Sequence, residues 1–228
     1  MSRLRSIGKF GAWTITQDWP DDPGEVGEAA AEVERLGFAA SWIGGSTGQL
    51  PVLDAILEAT STLVGVTGVS QVWVNTTAEI AKSHHQLTSK YPGRFLLGLG
   101  VGHAWNVEAA GHKYERPLGK LSAFLDDLDT GERPVPVGER VIAALGPKAL
   151  ALATTRAAGA HPYNVTPEHT ARARAAMGSS ALLFPEQKVV VESDPSEACR
   201  GGPSDDVWLP RQYAQRRREL PPARIRRR

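Results

Sequence analysis

Short apolar runs alternate with amphipathic stretches along most of this chain, which predicts an α/β fold: a (β/α)8-type barrel of parallel strands. Three observations carry that prediction. Seven strand–helix steps can be recognised, too many for a small open sheet. Several helices start at Pro or Thr and stop at Gly. Residues able to carry chemistry gather where strands give way to loops, the end at which such barrels hold their ligands. An eighth strand is not recognisable, so the barrel is expected to be incomplete.

The first strand is read at Gly8–Thr16, followed by a loop with Pro20 and Pro23. A helix from about Gly24 to Leu36 repeats Val26, Ala29, Ala30, Val33 and Leu36 at helical spacing and stops at Gly37. FAASWIGG is the second strand, and LPVLDAILEATSTL the second helix with Pro51 near its first turn. VGVTGVSQVWV, β-branched and interrupted by Gly65 and Gly68, is the third strand, and TAEIAKSHHQLTSKY its helix. RFLLGLGVG is the fourth strand. AWNVEAAGHKYERP after it reads as a loop, before the helix LGKLSAFLDDLD. RVIAALG, AHPYNV and EQKVVVES are the fifth, sixth and seventh strands, with PKALALATTRAAG and PEHTARARAAMG the helices between them.

From Cys199 the texture changes. The last stretch has no sustained apolar period, carries Pro203, Pro210, Pro221 and Pro222, and collects Arg without Lys. The domains expected are therefore a barrel over 1–198 and a disordered, truncated or frame-shifted tail over 199–228. A basic arm using Arg216–Arg218 and Arg226–Arg228 is the other reading, without support upstream.

Composition narrows the function. The 228 residues are 41% hydrophobic and 22% charged, with a formal net charge of +1. That balance offers no field to recruit nucleic acid or an acidic membrane. Cys199 is the single cysteine, so an internal disulfide is excluded and a reducing compartment is the default. No apolar run approaches a membrane span, and the N-terminus lacks the apolar core of a signal peptide. A cytoplasmic protein acting on a small molecule, with no nucleic-acid or membrane partner, is expected.

At the strand ends, GLGVGH (Gly98–His103) lacks the spacing of a dinucleotide fingerprint, and its glycines alternate along a strand. Small inward residues there would let a planar ring approach the backbone. ALGPK is an anion candidate: Gly146 precedes Pro147 at a helix start, and Lys148 adds a charge. VTPEHT repeats the device with Thr166 as N-cap. Among the histidines, His103 ends a strand where a side chain can face a ring. His84 and His85 read as surface or packing residues, and His112, His161 and His169 are weaker candidates. No cluster has metal-ligand spacing, and Asp126, Asp127 and Asp129 read as a solvated helix face.

GKFGAW, AASWIGGS, VTGVSQVWVN, YPGRFLLGLGVGH, GAHPYNVTPEHT and PEQKVV together resemble the luciferase-like monooxygenase superfamily, in particular its F420-dependent oxidoreductases of actinobacterial type. The likeness runs in continuous order over about 8–198. It implies a barrel that binds the deazaflavin F420, or FMN in some relatives, across the strand ends. Thr67, Gly68 and Val69 would form a third-strand bulge behind the ring, often with a non-proline cis peptide. Ser70 and Asn106 would touch the ring and its side chain, with Gly102 at the end of the adjoining strand. Gly146, Lys148 and Tyr163 to Thr166 would lie near the phosphate. His103 stands where related sugar-phosphate dehydrogenases carry a Glu acid, and is the residue expected to move a proton in hydride transfer. Those enzymes also carry an Asp-His pair at the second strand end, where this chain has Gly45 and Ser46, so sugar-phosphate oxidation is not expected. Relatives continue past the seventh strand, and a homodimer covering the gap, or a non-catalytic remnant, are further expectations.

Overall fold

The computed structural model describes residues 7–45, 49–189 and 193–194. The chain divides into two units, 1–187 and 188–228, and the strands and helices of the described residues all lie in the first. The expectations for 199–228 and for Ser46 lie outside the described residues.

Eight strands form one curled parallel sheet, an incomplete barrel: β1 (Gly11–Ile15), β2 (Ala40–Gly44), β3 (Val64–Thr67), β4 (Ser70–Gln71), β5 (Phe95–Gly100), β6 (Arg140–Ile142), β7 (Gly159–Ala160) and β8 (Leu182–Leu183). β3 and β4 are one strand broken by a bulge, and both pair with β5, so the sheet has seven strand positions with β1 and β8 at its ends. The helices are α1 (Pro23–Arg35), α2 (Gln49–Ala59), α3 (Thr77–Lys90), α4 (Ala104–Ala109), α5 (Pro117–Thr130), α6 (Pro147–Arg156) and α7 (Pro167–Met177).

Local chemistry explains the starts. Asp22 accepts from the amides of Gly24 and Glu25 at 2.9 and 3.0 Å, with Pro23 at the first helical position of α1. Thr76 and Glu79 form a reciprocal capping box on α3. Thr166 caps α7, accepting from His169 N–H at 3.3 Å.

Strand side chains alternate between two cores. Ile43, Phe95, Leu97, Leu99 and Ile142 face the helices, in one cluster with Leu53, Ile56, Leu121 and Leu125. Ala40, Trp42, Val64, Val66, Leu96 and Val141 face the lumen, where Ile7 and Phe184 pack on them. The sheet curls far enough that Trp42 stacks on His161, just beyond β7, at 4.4 Å and meets Phe184, just beyond β8, at 5.2 Å.

Three sequence expectations are corrected. The last strand starts at Leu182 rather than at Glu186, and its ladder runs from Leu182 N–H to Ala158 O, Phe184 to Ala160 and Glu186 to Pro162. ALLF is the apolar run that reaches β7 directly from the turn after α7, whereas Val189 is 78% exposed. The stretch after β5 is not all loop, because Ala104–Ala109 is helical. The Asp126/Asp129 face is not simply solvated: Arg156 pairs with both at 2.8 and 2.7 Å, and Asp129 also binds Arg140, whose side chain is 1% exposed. Burial alone raises the Asp129 carboxyl, but hydrogen bonds from Arg140 and Arg156 outweigh it and hold it low. His84 is a packing residue, 1% exposed and tilted against Phe95 at 5.8 Å.

At the N-terminal end of the strands, two charged side chains clamp the turn that feeds β3. Arg94 donates to the carbonyls of Leu57, Thr60 and Leu63 at 3.0, 2.7 and 3.0 Å. Glu34 of α1 accepts from the amides of Thr62 and Leu63 at 2.6 and 3.0 Å and from the Thr62 hydroxyl at 2.8 Å. Burial works to raise the Glu34 carboxyl, but hydrogen bonds from Thr62, Ser61 and Leu63 prevail and hold it down at about 2. Its folded value lies below the unfolded 4.5, so its contribution is full above 4.5 and is lost as pH falls through about 2. Glu34→Gln is expected to lower stability at neutral pH by about 1–3 kcal/mol. Urea unfolding at pH 7 and in acid checks this, with the two proteins converging as the pH approaches that lower value.

Candidate functional site at the strand ends

The floor of the site is the junction of β3, β4 and β5. The Gly68–Val69 peptide is cis, and the bulge it forms presses onto the glycines of β5. A Cβ on Gly98 would lie 1.8 Å from the Thr67 carbonyl oxygen, and one on Gly100 would lie 2.5 Å from a Val69 methyl. Thr67 locks the contact: its hydroxyl donates to Gly98 O and accepts from Gly98 N–H, both at 2.8 Å. The alternating glycines therefore admit the chain's own bulge. This corrects the expectation that the space over Gly98 and Gly100 is left for a ring to approach directly, because bulge atoms already fill it.

Trp13 of β1 completes the floor. Its indole N–H donates to Gly68 O at 3.1 Å, and its ring lies on Gly44, where a Cβ would stand 2.3 Å from the ring. Trp13 remains 37% exposed, an aromatic face at the mouth. Gln71 ends β4 against Gly102, whose positive φ of 62° turns the chain out of β5.

That turn delivers His103, the residue before α4. Its Nε2 lies 2.8 Å from the Tyr163 hydroxyl, the two rings meeting edge to face at 5.7 Å, with Trp105 stacked on the other side at 6.2 Å. Burial pushes the His103 imidazole below its usual value and so favours its neutral form. Asn106, half-buried, lies three residues on in the first turn of α4, on the side of the helix nearest His103.

The far side of the mouth is built by two helix starts. Gly146 precedes α6, and the amides of Lys148 and Ala149 come before the first intrahelical bond, Leu150 N–H to Gly146 O at 3.0 Å. A Cβ on Gly146 would meet nothing within 4 Å, and Lys148 is exposed. His169 of α7 reaches back to Leu145 O at 2.8 Å and so ties the α7 start, with Thr166, to the α6 start.

The structure thus joins His103 to Tyr163, the 67–69 bulge to β5, and Gly146 to Thr166 through His169. Ser70 stands apart: its side chain is 1% exposed, its hydroxyl is 3.5 Å from Gln49 Oε1, and its register partner Leu99 faces the helices. Sequence reasoning gave Trp13, Gln71 and Glu186 no role of their own and ranked His161 low. For His161 the signal was present, since it and Tyr163 alternate along one strand end. For Glu186 it was hidden by the misplaced last strand.

A parallel α/β barrel with a glycine-backed bulge and convergent polar groups at its C-terminal strand ends has the architecture on which barrel enzymes place their sites. The chain belongs to the luciferase-like monooxygenase family, which matches residues 6–181. Among solved structures it is similar to the coenzyme F420 dependent tetrahydromethanopterin reductase of Methanopyrus kandleri, with TM-score 0.65 and 16% identity over 83% of this chain and 68% of that one. An F420-dependent secondary alcohol dehydrogenase in complex with an F420-acetone adduct gives TM-score 0.60 and 18% identity over 78% and 68%. The oxygenating constituent of 3,6-diketocamphane monooxygenase from Pseudomonas putida, in complex with FMN, gives 0.61 and 12% over 84% and 70%. At these identities the likeness is one of fold. No curated protein matches the chain.

The floor makes a sharp mutational prediction. Gly98→Ala drives a methyl into backbone and is expected to cost at least about 3 kcal/mol, while Gly100→Ala meets a side chain that can turn and costs about 1–3 kcal/mol. Urea denaturation of both variants checks the order; equal costs would mean that the bulge yields as easily as a side chain.

Proposed function

We propose that the protein is an F420-dependent oxidoreductase, transferring a hydride between the deazaflavin and a small organic substrate. The observation that supports it most is the His103–Tyr163 hydrogen bond at the strand ends, a partly buried acid–base pair beside the bulge. When bound, the deazaflavin supplies hydride chemistry. The chain's own residues fit such a group. The bulge at Gly68–Val69 and the Trp13 face give a planar ring a rigid support. The α6 start at Gly146, with Lys148 and the neighbouring Thr166, suits a phosphate through free amides and the helix dipole. Asn106 offers an amide to the ring or its side chain. Ser70 would contribute through its backbone, its hydroxyl being turned to Gln49.

His103 then handles the proton. In the oxidation direction the neutral imidazole accepts it from the substrate hydroxyl, and Tyr163 holds the ring in place; in reduction the imidazolium returns it. Absorbance and fluorescence titrations with F420 and FMN test the cofactor reading. Tighter binding of F420 is expected, Asn106→Ala weakening it by about 0.5–1.5 kcal/mol and Ser70→Ala leaving it unchanged. Equal or tighter FMN binding moves the chain to the flavin branch, and binding of neither makes it a non-catalytic member.

His103→Ala is expected to lower turnover on the order of 10²–10⁴-fold while cofactor binding survives. The sign of the pH effect comes from burial. A base whose value is lowered stays active below the ordinary 6.5 and fails only at more acid pH, so oxidation should show an acid limb under 6.5 that the Ala variant lacks. Steady-state rates across pH check both points.

A further inference from the structure

The lumen face beside His103 and Tyr163 carries a second titratable pair. His161, with 7% of its side chain exposed, lies flat on Trp42, and its Nδ1 is 2.9 Å from the Phe184 carbonyl oxygen. A carbonyl only accepts, so Nδ1 carries a proton. That commits Nε2, which lies 3.4 Å from Oε2 of Glu186, a side chain 11% exposed. A bare nitrogen lone pair facing a carboxylate, both withdrawn from water, is repulsive, and the arrangement becomes favourable when a proton lies between them.

This pair adjoins the site. His161 and Tyr163 alternate along the stretch that continues β7, which places them on one face. Tyr163 and Glu186 are partners in a parallel bridge beyond the ends of β7 and β8, and the Tyr163 hydroxyl is the group bonded to His103. The titratable groups that the described neighbours bring to the array are Glu186, Tyr163 and His103. β2 contributes Trp42, β8 leads to Phe184, and α4 brings Trp105, none of which titrates.

We propose that His161 and Glu186 are positioning residues for the acid–base chemistry of His103: a buried, proton-sharing pair, with Glu186 the bridge partner of Tyr163, that favours the protonated form of His103 through the Tyr163 hydroxyl. The proposal rests on the reading of His103 as the proton carrier. No bond to substrate forms at the pair, and its proton stays between Nε2 and Oε2.

Nitrogen-15 NMR of the histidine-labelled full chain, without cofactor or substrate, tests it. At neutral pH, His161 should show both ring nitrogens bearing or sharing a proton. In Glu186→Gln it should become the singly protonated Nδ1–H form, and the titration midpoint of His103 should move to lower pH. His161→Phe, which keeps a ring on Trp42, should also move the His103 midpoint. A wild-type His161 with a bare Nε2 overturns the shared proton even when a variant fails to fold. A His103 midpoint unchanged in both variants overturns the coupling. Failure here leaves the F420 titration untouched, and failure of that titration leaves this result standing.

Discussion

The close approach of the third-strand bulge to the glycine face of β5 is the constraint on which the site depends. Thr67 bonds both the amide and the carbonyl of Gly98, replacing ladder hydrogen bonds that the bulge would otherwise leave unmade. With that contact in place, β4 resumes pairing with β5 at Ser70–Leu99 and Gln71–Gly100. Gln71 then meets Gly102, the chain turns, and His103 arrives opposite Tyr163. Trp13 bonds the same bulge from the other side, so three strands converge on one peptide. Each of these placements is downstream of glycine at position 98.

The opposite end of the sheet shows the complementary arrangement. Glu34 and Arg94 satisfy the backbone groups of the turn before β3, at the end of the sheet opposite His103. The barrel thus separates its tasks as parallel barrels do: charge and hydrogen bonding secure the N-terminal turns, while the C-terminal ends keep aromatic faces, free helix-start amides and titratable pairs. The lumen core of Trp42, Val64, Val66, Leu96 and Val141 lies between them and supports the site from below.

Much of this was legible in the residues themselves. Caps at Asp22, Thr76 and Thr166, prolines at the starts of α1, α5, α6 and α7, and the short apolar runs of β2, β3 and β5 are local signals, and the elements follow them. His103 was marked out because it ends a strand and Tyr163 by the resemblance, near the phosphate; the fold sets the Tyr163 hydroxyl 2.8 Å from His103. Less legible was whatever depends on register. The last strand was displaced towards KVVV because β-branched residues are a local cue, whereas pairing with β7 goes to the run that α7 delivers first. The short helix α4 was missed because six residues show too little periodicity to be read.

By itself, then, the sequence determined the parallel α/β class, the order of strands and helices, and the strand ends at which chemistry is held, because caps, turns and periodicity act over a few residues. Tertiary structure alone decided which groups meet. Gly98 and Gly100 make room for a bulge some thirty residues earlier in the chain, with Thr67 and Gly98 31 residues apart. His161 and Glu186 come within 3.4 Å only because the curled sheet sets the stretch after β7, where His161 stacks on Trp42, beside the stretch after β8. Burial and cross-strand register are properties of the closed sheet, and no local stretch of sequence contains them.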